Sequence, residues 1–312
     1  MKTGLDHLPE SKQRELARVV EILFAEFEER LAGGKAERHK TGQIFKIILF
    51  GSYARGDWVD DPVGGYVSDY DILVVVSHDE LADVQLYWTK ADDRLTAEVT
   101  IHKRISAPVN FIVHSLHDLN KKLRRGRPFF IDIVRDGIAL YEAQNHPFER
   151  PQKLKPVEAL KESETQFEEW FASAAGFFDT AKYTYKQGRL KEAAFQLHQA
   201  TERYYHSFLL VQTLYSPKSH KLGFLRSQCE QADGRLSEAW PRTTRFEQRC
   251  FELLRRAYVD ARYSPHYKIA HEELTWLIER VDTLQRVVGA AAEERLKQLR
   301  TAASAGDATN GS

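Results

Sequence analysis

Cysteine is scarce in this 312-residue chain, which holds only Cys229 and Cys250. Two thiols exclude a disulfide framework, and they lack CxxC spacing, so they fit a reducing, cytoplasmic setting. Long apolar runs are missing, because no stretch approaches the ~18 residues that a membrane helix needs. The opening "MKTGLDHLPESKQREL" has no apolar h-region and does not read as a signal peptide. Net charge is absent as well, since 45 Lys and Arg balance 45 Asp and Glu. No whole-chain basic field therefore advertises nucleic acid, although a local patch would vanish in that sum. The twelve histidines are scattered without HExxH spacing, so no zinc site follows from them.

What remains is an ordinary globular balance, 42% apolar and 29% charged, at a length that suggests two domains. Leu16, Val19, Val20, Ile22, Leu23, Phe27 and Leu31 fall at helical spacing over residues 10–32, and "AGGK" stops that helix. "IFKIILF" (44–50) and "DILVVV" (71–76) read as buried strands, "APVNFIVHS" (107–115) as a third and "IALYE" (138–142) as a last small one. Residues 79–97 read as helix, and the stretch 116–137 as helix, turn and short helix. Strands interleaved with helices predict an α/β or α+β domain over 1–145, and α+β is the expected fold class. "AQNHPFERPQKLKP" (143–156) has three prolines and little periodicity, which places a linker at 146–156. Beyond it strand signals stop. Helical stretches near 157–187, 189–214, 219–232, 243–263 and 271–299 predict an all-α bundle. The small polar residues of 300–312 predict a disordered tail.

"GSYARGDWVDDPVGGYVSDYDILVVV" (51–76) carries the first chemistry. Gly51 lets backbone approach a ligand, and Ser52 offers a hydroxyl and an N–H to a phosphate. Asp69 and Asp71 stand at i and i+2, a spacing of ~7 Å that puts both on one face of a strand. Paired carboxylates beside a phosphate turn can hold hard cations such as Mg²⁺. An isolated DxD is more often a solvated cap. The order strand, Gly-Ser, Arg55, loop, Ser-Asp-Tyr-Asp and apolar strand is far more specific.

"FGSYARG…SDYDILV" resembles the nucleotidyltransferases of the DNA polymerase beta superfamily, in particular the minimal, kanamycin-nucleotidyltransferase-like branch. The resemblance covers roughly residues 40–142. It implies a polymerase-beta-like sheet with flanking helices. It also implies Gly51, Ser52, Arg55 and Ser68 at the nucleotide, and Asp69 and Asp71 as catalytic ligands of Mg²⁺ or Mn²⁺. ATP or another NTP is the implied substrate. Two departures stand out. The Ser52–Asp69 loop is long and carries the extra acids Asp57, Asp60 and Asp61. The third carboxylate of the family is missing, with Asn110 at the matching position and His114 further along. Asn cannot take a proton, but its amide oxygen can still ligate a metal. Glu98 is an alternative source of the missing carboxylate.

In the second half, "LHQATERYYHSFLL", "YSPKSH" and "AYVDARYSPHY" resemble a HEPN domain over about 157–298. That resemblance implies a homodimer through the bundle. It also implies a role beside the transferase in a toxin–antitoxin-like or defence system. HEPN ribonucleases place four to six residues between an Arg and a following His. Here Arg262 and His266 have three residues between them, and Pro265 breaks the helix. Nucleotide-binding members of the group suggest instead an anion pocket of Lys218, His220, Arg255, Arg262 and His266. His198, Glu202 and His206 form i, i+4 pairs, which a plain bundle helix would also show. The favoured reaction is transfer of AMP to a hydroxyl, whose owner is a HEPN tyrosine (Tyr263 or Tyr267), an RNA end or a small molecule. The alternatives are a HEPN ribonuclease regulated by the transferase module and a non-catalytic nucleotide sensor.

Overall fold

The computed structural model describes residues 4–61 and 66–310. The chain divides into two compact units at Lys153/Leu154. The first contains helices α1 (Glu10–Leu31), α2 (Glu37–Lys40), α3 (Gly51–Arg55), α4 (Val84–Tyr87), α5 (Thr89–Thr100), α6 (Leu116–Arg124) and α7 (Pro128–Asp136). Its strands are β1 (Ile44–Phe50), β2 (Asp60–Asp61), β3 (Tyr66–Val67), β4 (Tyr70–Val76), β5 (Val109–Ser115) and β6 (Ile138–Glu142). The main sheet has the order β5-β4-β1-β6, and β2 pairs with β3 apart from it. β1 runs antiparallel to β4 and β6, whereas β4 and β5 are parallel.

Both faces of this sheet are covered, which is why its strands read as continuous apolar runs rather than alternating ones. On one face Tyr70, Ile72, Val74 and Val76 join Leu16, Val19, Leu23 and Phe27 of α1 in a single core. By strand alternation Asp71, Leu73 and Val75 face the other side. There α7 packs, with Phe129 edge-on to Phe50 at 5.7 Å and Phe130 edge-on to His114 at 5.0 Å. The predicted helix over 79–97 is broken. A 3₁₀ turn (Asp79–Ala82) ends at Asp83, whose carboxylate accepts from the Leu86 N–H to start α4, and α5 follows. Buried Trp88 marks the joint and donates its indole N–H to the Leu81 carbonyl at 2.7 Å.

The second unit is helical, with α8 (Pro156–Lys186), α9 (Leu190–Thr213), α10 (Leu222–Ala232), α11 (Arg245–Tyr263) and α12 (His271–Asn310). α9 is its centre and contacts each of the other four helices. Its Ala193, Ala194, Leu197, Ala200 and Phe208 are buried in one core with Phe178, Leu254 and Leu284. Small alanines let the neighbouring helices close on α9, and their helix propensity favours the element. Residues 300–310 continue α12, where a disordered tail was expected. The alanines of "TAASAGDA" are good helix formers, and propagating an existing helix needs no new nucleus. No helix among the described residues is long and apolar enough to cross a membrane.

Candidate active site

β1 ends in the Gly-Ser turn. Gly51 has φ +72°, a left-handed conformation that costs a side-chain-bearing residue about 1–2 kcal/mol. α3 starts at once, and its Ser52 carbonyl accepts the Gly56 and Asp57 N–H groups at 2.8 and 3.1 Å. Ser52 itself is 4% exposed, and its hydroxyl has no hydrogen-bond partner. A buried hydroxyl without a partner costs about 1–3 kcal/mol, and an incoming phosphate oxygen would relieve that cost.

The register then brings the rest of the motif to the same sheet edge. Phe50 pairs with Asp71 across β1 and β4, and Asp71 pairs with Asn110 across β4 and β5. Asp71 is fully buried. Asp69 lies one residue before β4, and the Asn110 amide donates to its Oδ2 at 2.8 Å. This donation fixes the flip of the Asn110 amide and leaves its carbonyl oxygen to face other groups. The set available to a cation is thus two carboxylates and one amide oxygen, hard donors of the kind Mg²⁺ takes. No group of three or more His, Cys, Asp or Glu suited to a metal occurs among the described residues. Two acids, an amide and a phosphate oxygen fit one cation. Among the described residues the donors do not make up a carboxylate-rich two-metal centre.

The remaining expected residues are placed as follows. Arg55 pairs with Asp57 at 3.2 Å, both exposed, a contact of little energetic weight. Ser68 is buried, and its hydroxyl accepts the Val59 N–H at 2.9 Å while the Ser68 N–H donates to the Val59 carbonyl. It therefore straps the long loop to the head of β4. Asp60 of β2 pairs with Lys12 of α1 at 3.0 Å. Residues 62–65 of that loop lie outside the described residues. Glu98 does not replace the missing carboxylate. It is buried on α5, paired with Arg18 at 3.1 Å and Arg104 at 2.7 Å. Burial pushes its carboxyl up, and the two guanidiniums outweigh this and hold it below the usual range. His114 bonds Asp118 at 2.7 Å and holds that carboxyl, with help from Lys122, well below the ordinary range.

In the helical unit, Glu202 is the buried hub. His220 Nδ1 lies 3.0 Å from it, His198 Nε2 3.4 Å and His206 Nε2 3.9 Å. His198 Nδ1 donates to the Leu254 carbonyl at 3.0 Å, and His206 Nδ1 bonds the Ser216 hydroxyl at 2.6 Å. Burial lowers His206 to about 4. Burial pushes Glu202 up, but His198 and His220 bring it below the usual carboxylate range. Of the expected anion pocket, His220 stacks on Tyr258 at 5.0 Å, and the Arg262 guanidinium lies over the same ring at 4.7 Å. Arg262 also covers Phe195 and Tyr263 and donates to the Tyr258 carbonyl. Arg255 pairs with Glu252 at 2.8 Å, and Lys218 and His266 are exposed. Tyr263 is 74% exposed. Tyr267 does not suit modification in the folded state, being 1% exposed with its hydroxyl donating to the Leu253 carbonyl at 3.0 Å. Sequence reasoning missed both this burial and the role of Glu202 as hub. The i, i+4 histidines were the available signal for the hub.

A Gly-Ser turn closing one strand, beside a strand headed by acids, defines the nucleotidyltransferase class, and the comparisons agree. The model described as "Nucleotidyltransferase domain" matches residues 31–137, and that described as "HEPN domain" matches 167–298. A candidate protein adenylyltransferase of Methanocaldococcus jannaschii is 34% identical over 102 residues, 32% of this chain and 81% of the relative. The chain belongs to the nucleotidyltransferase family and carries a C-terminal HEPN domain; it is a nucleotidyl-transferring enzyme.

Proposed function

We propose that this enzyme transfers AMP from magnesium-bound ATP to a hydroxyl of a protein, releasing pyrophosphate. The observation that carries the proposal is the convergence of Gly51-Ser52, Asp71, Asp69 and Asn110 on one sheet edge, set by the Phe50–Asp71 and Asp71–Asn110 pairings. The Gly51 backbone and the partnerless Ser52 hydroxyl would take the phosphates. Asp69 and Asp71, with the Asn110 carbonyl, would hold the cation, which when bound neutralises charge on the triphosphate. Asn110 cannot act as a base, so the chain's own contribution is mostly positioning. The name of the relative supports a protein acceptor. The exposed Tyr263 is the candidate within this chain. Together with a HEPN unit on the same polypeptide, this suits a toxin–antitoxin-like role, with dimerisation through the bundle.

The test is purified full-length protein with ATP labelled at the α-phosphate, with Mg²⁺ and in EDTA, following the label by gel and by intact mass. Wild type should acquire adenylyl groups or pass them to added protein. Asp69→Ala with Asp71→Ala should abolish the transfer. Label that persists in the double variant, or label passing only to added RNA, overturns the proposal.

A further inference from the structure

Between the two acids of the motif stands Tyr70, whose side chain points to the opposite face of β4. Its ring is fully buried, and its hydroxyl donates to Glu15 Oε2 at 2.9 Å. The same Glu15 oxygen also accepts the Ser106 N–H at 3.1 Å and the Ser106 hydroxyl at 3.0 Å. Ser106 in turn accepts from Lys12 Nζ at 2.7 Å. Lys12, one turn before Glu15 on α1, also pairs with Asp60 of the long loop. Ser106 lies at the lead-in to β5, and the Tyr70 N–H donates to the Pro108 carbonyl at 2.8 Å.

One carboxylate on α1 therefore ties the head of β4 to the head of β5, and the neighbouring lysine ties in the loop that follows the Gly-Ser turn. These are the points from which Asp69, Asp71 and Asn110 project. We infer that Glu15, acting through Tyr70 and Ser106, is a positioning residue that sets the spacing of the metal-ligating acids against Asn110. The inference rests on the metal-binding reading of the site given above. Its physical logic is that of an outer-shell partner: it fixes the ligands before the cation arrives, so that they need no ordering on binding. Lys12 keeps the clamp charge-balanced, because its ammonium faces both the Ser106–Glu15 chain and Asp60.

The test compares wild type, Tyr70→Phe, Glu15→Gln and Glu15→Ala in the full chain, with Mn²⁺ as the probe ion. Mn²⁺ binding is read by calorimetry, and hydrogen exchange of the 68–73 backbone is read without metal. Tyr70→Phe, which removes one hydroxyl, should weaken Mn²⁺ binding by about 10-fold or more, the usual cost of losing an outer-shell partner. It should also speed exchange at 68–73. Glu15→Gln keeps an acceptor for Tyr70 and should fall between wild type and Tyr70→Phe. Glu15→Ala should match or exceed Tyr70→Phe; if it does not fold, Tyr70→Phe decides. A fall in melting temperature with unchanged Mn²⁺ affinity in Tyr70→Phe and Glu15→Gln makes the clamp merely structural and overturns the inference. Absence of Mn²⁺ binding by the wild type overturns the metal-binding reading instead.

Discussion

The Asn110 side-chain amide donates to Asp69 Oδ2 at 2.8 Å, while the Asn110 backbone stands in register with Asp71. A neutral donor thus stands beside the two acids at the sheet edge, where a third carboxylate would add like charge. Asn110→Asp would restore a third carboxylate, but it would remove a donor and add like charge. Without metal the variant should be less stable than wild type by about 1 kcal/mol, the net worth of one hydrogen bond between these half-buried groups. Mn²⁺ should close that gap, because it binds the native state and not the unfolded one. Thermal unfolding in EDTA and in millimolar Mn²⁺ checks this. A variant equally destabilised in both would show that Asn110 does not face the cation.

Gly51 is the second point where a small change should have a large effect. Its φ of +72° is left-handed, so Gly51→Ala brings about 1–2 kcal/mol of backbone strain. The added methyl would also stand where backbone is expected to approach phosphate. We expect a loss of stability of that size in urea melts, together with a raised KM for ATP. A stable variant with unchanged KM would place the nucleotide elsewhere.

Much of this architecture was legible in the chain because strong local signals agreed. "IFKIILF" and "DILVVV" are β-rich runs bounded by turn residues, and they form adjacent strands. The Gly-Ser and Asp-x-Asp spacing pointed to one sheet edge, where the register brings them. What escaped was set by tertiary context. Nothing near Tyr70 in sequence indicates that Glu15, 55 residues earlier, accepts its hydroxyl. Glu98 looked available because its partners come from outside its own helix: Arg18 through the packing of α1 on α5, and Arg104 from the segment that folds back after α5. Tyr267 looked equivalent to Tyr263, but the turn after α11 sends one ring inward and leaves the other outside.

That difference between neighbouring tyrosines yields a further prediction. If the acceptor lies within the chain, the adenylyl group should be found on Tyr263, and Tyr263→Phe should remove it with little change in stability. Tyr267→Phe should leave the label in place but cost about 1 kcal/mol, because the Leu253 carbonyl loses its donor. Peptide mapping by mass spectrometry separates the two sites. Label on Tyr267 would require that the turn after α11 opens during the reaction.

The helical unit should weaken on mild acidification, and His206 supplies the reason. Its folded-state value is near 4, against ~6.5 for an unfolded histidine, because burial disfavours its charged form. Between these values the unfolded chain binds the proton and the folded chain does not, so stability rises with pH across that window. The contribution is fully present above about pH 6.5, is reduced by about 2 kcal/mol at pH 5, and is lost below about pH 4. Glu202, whose carboxyl is held low, acts in the same direction, since its stabilisation disappears as pH falls through its folded-state value. Urea denaturation of wild type and His206→Gln at pH 7, 5.5 and 4.5, followed by tryptophan fluorescence, measures the effect. The difference between the two proteins should shrink or reverse as pH falls, because glutamine cannot be protonated. A difference that stays constant across this range would mean that the imidazole titrates alike in the folded and unfolded chains, as it would if water reached it freely.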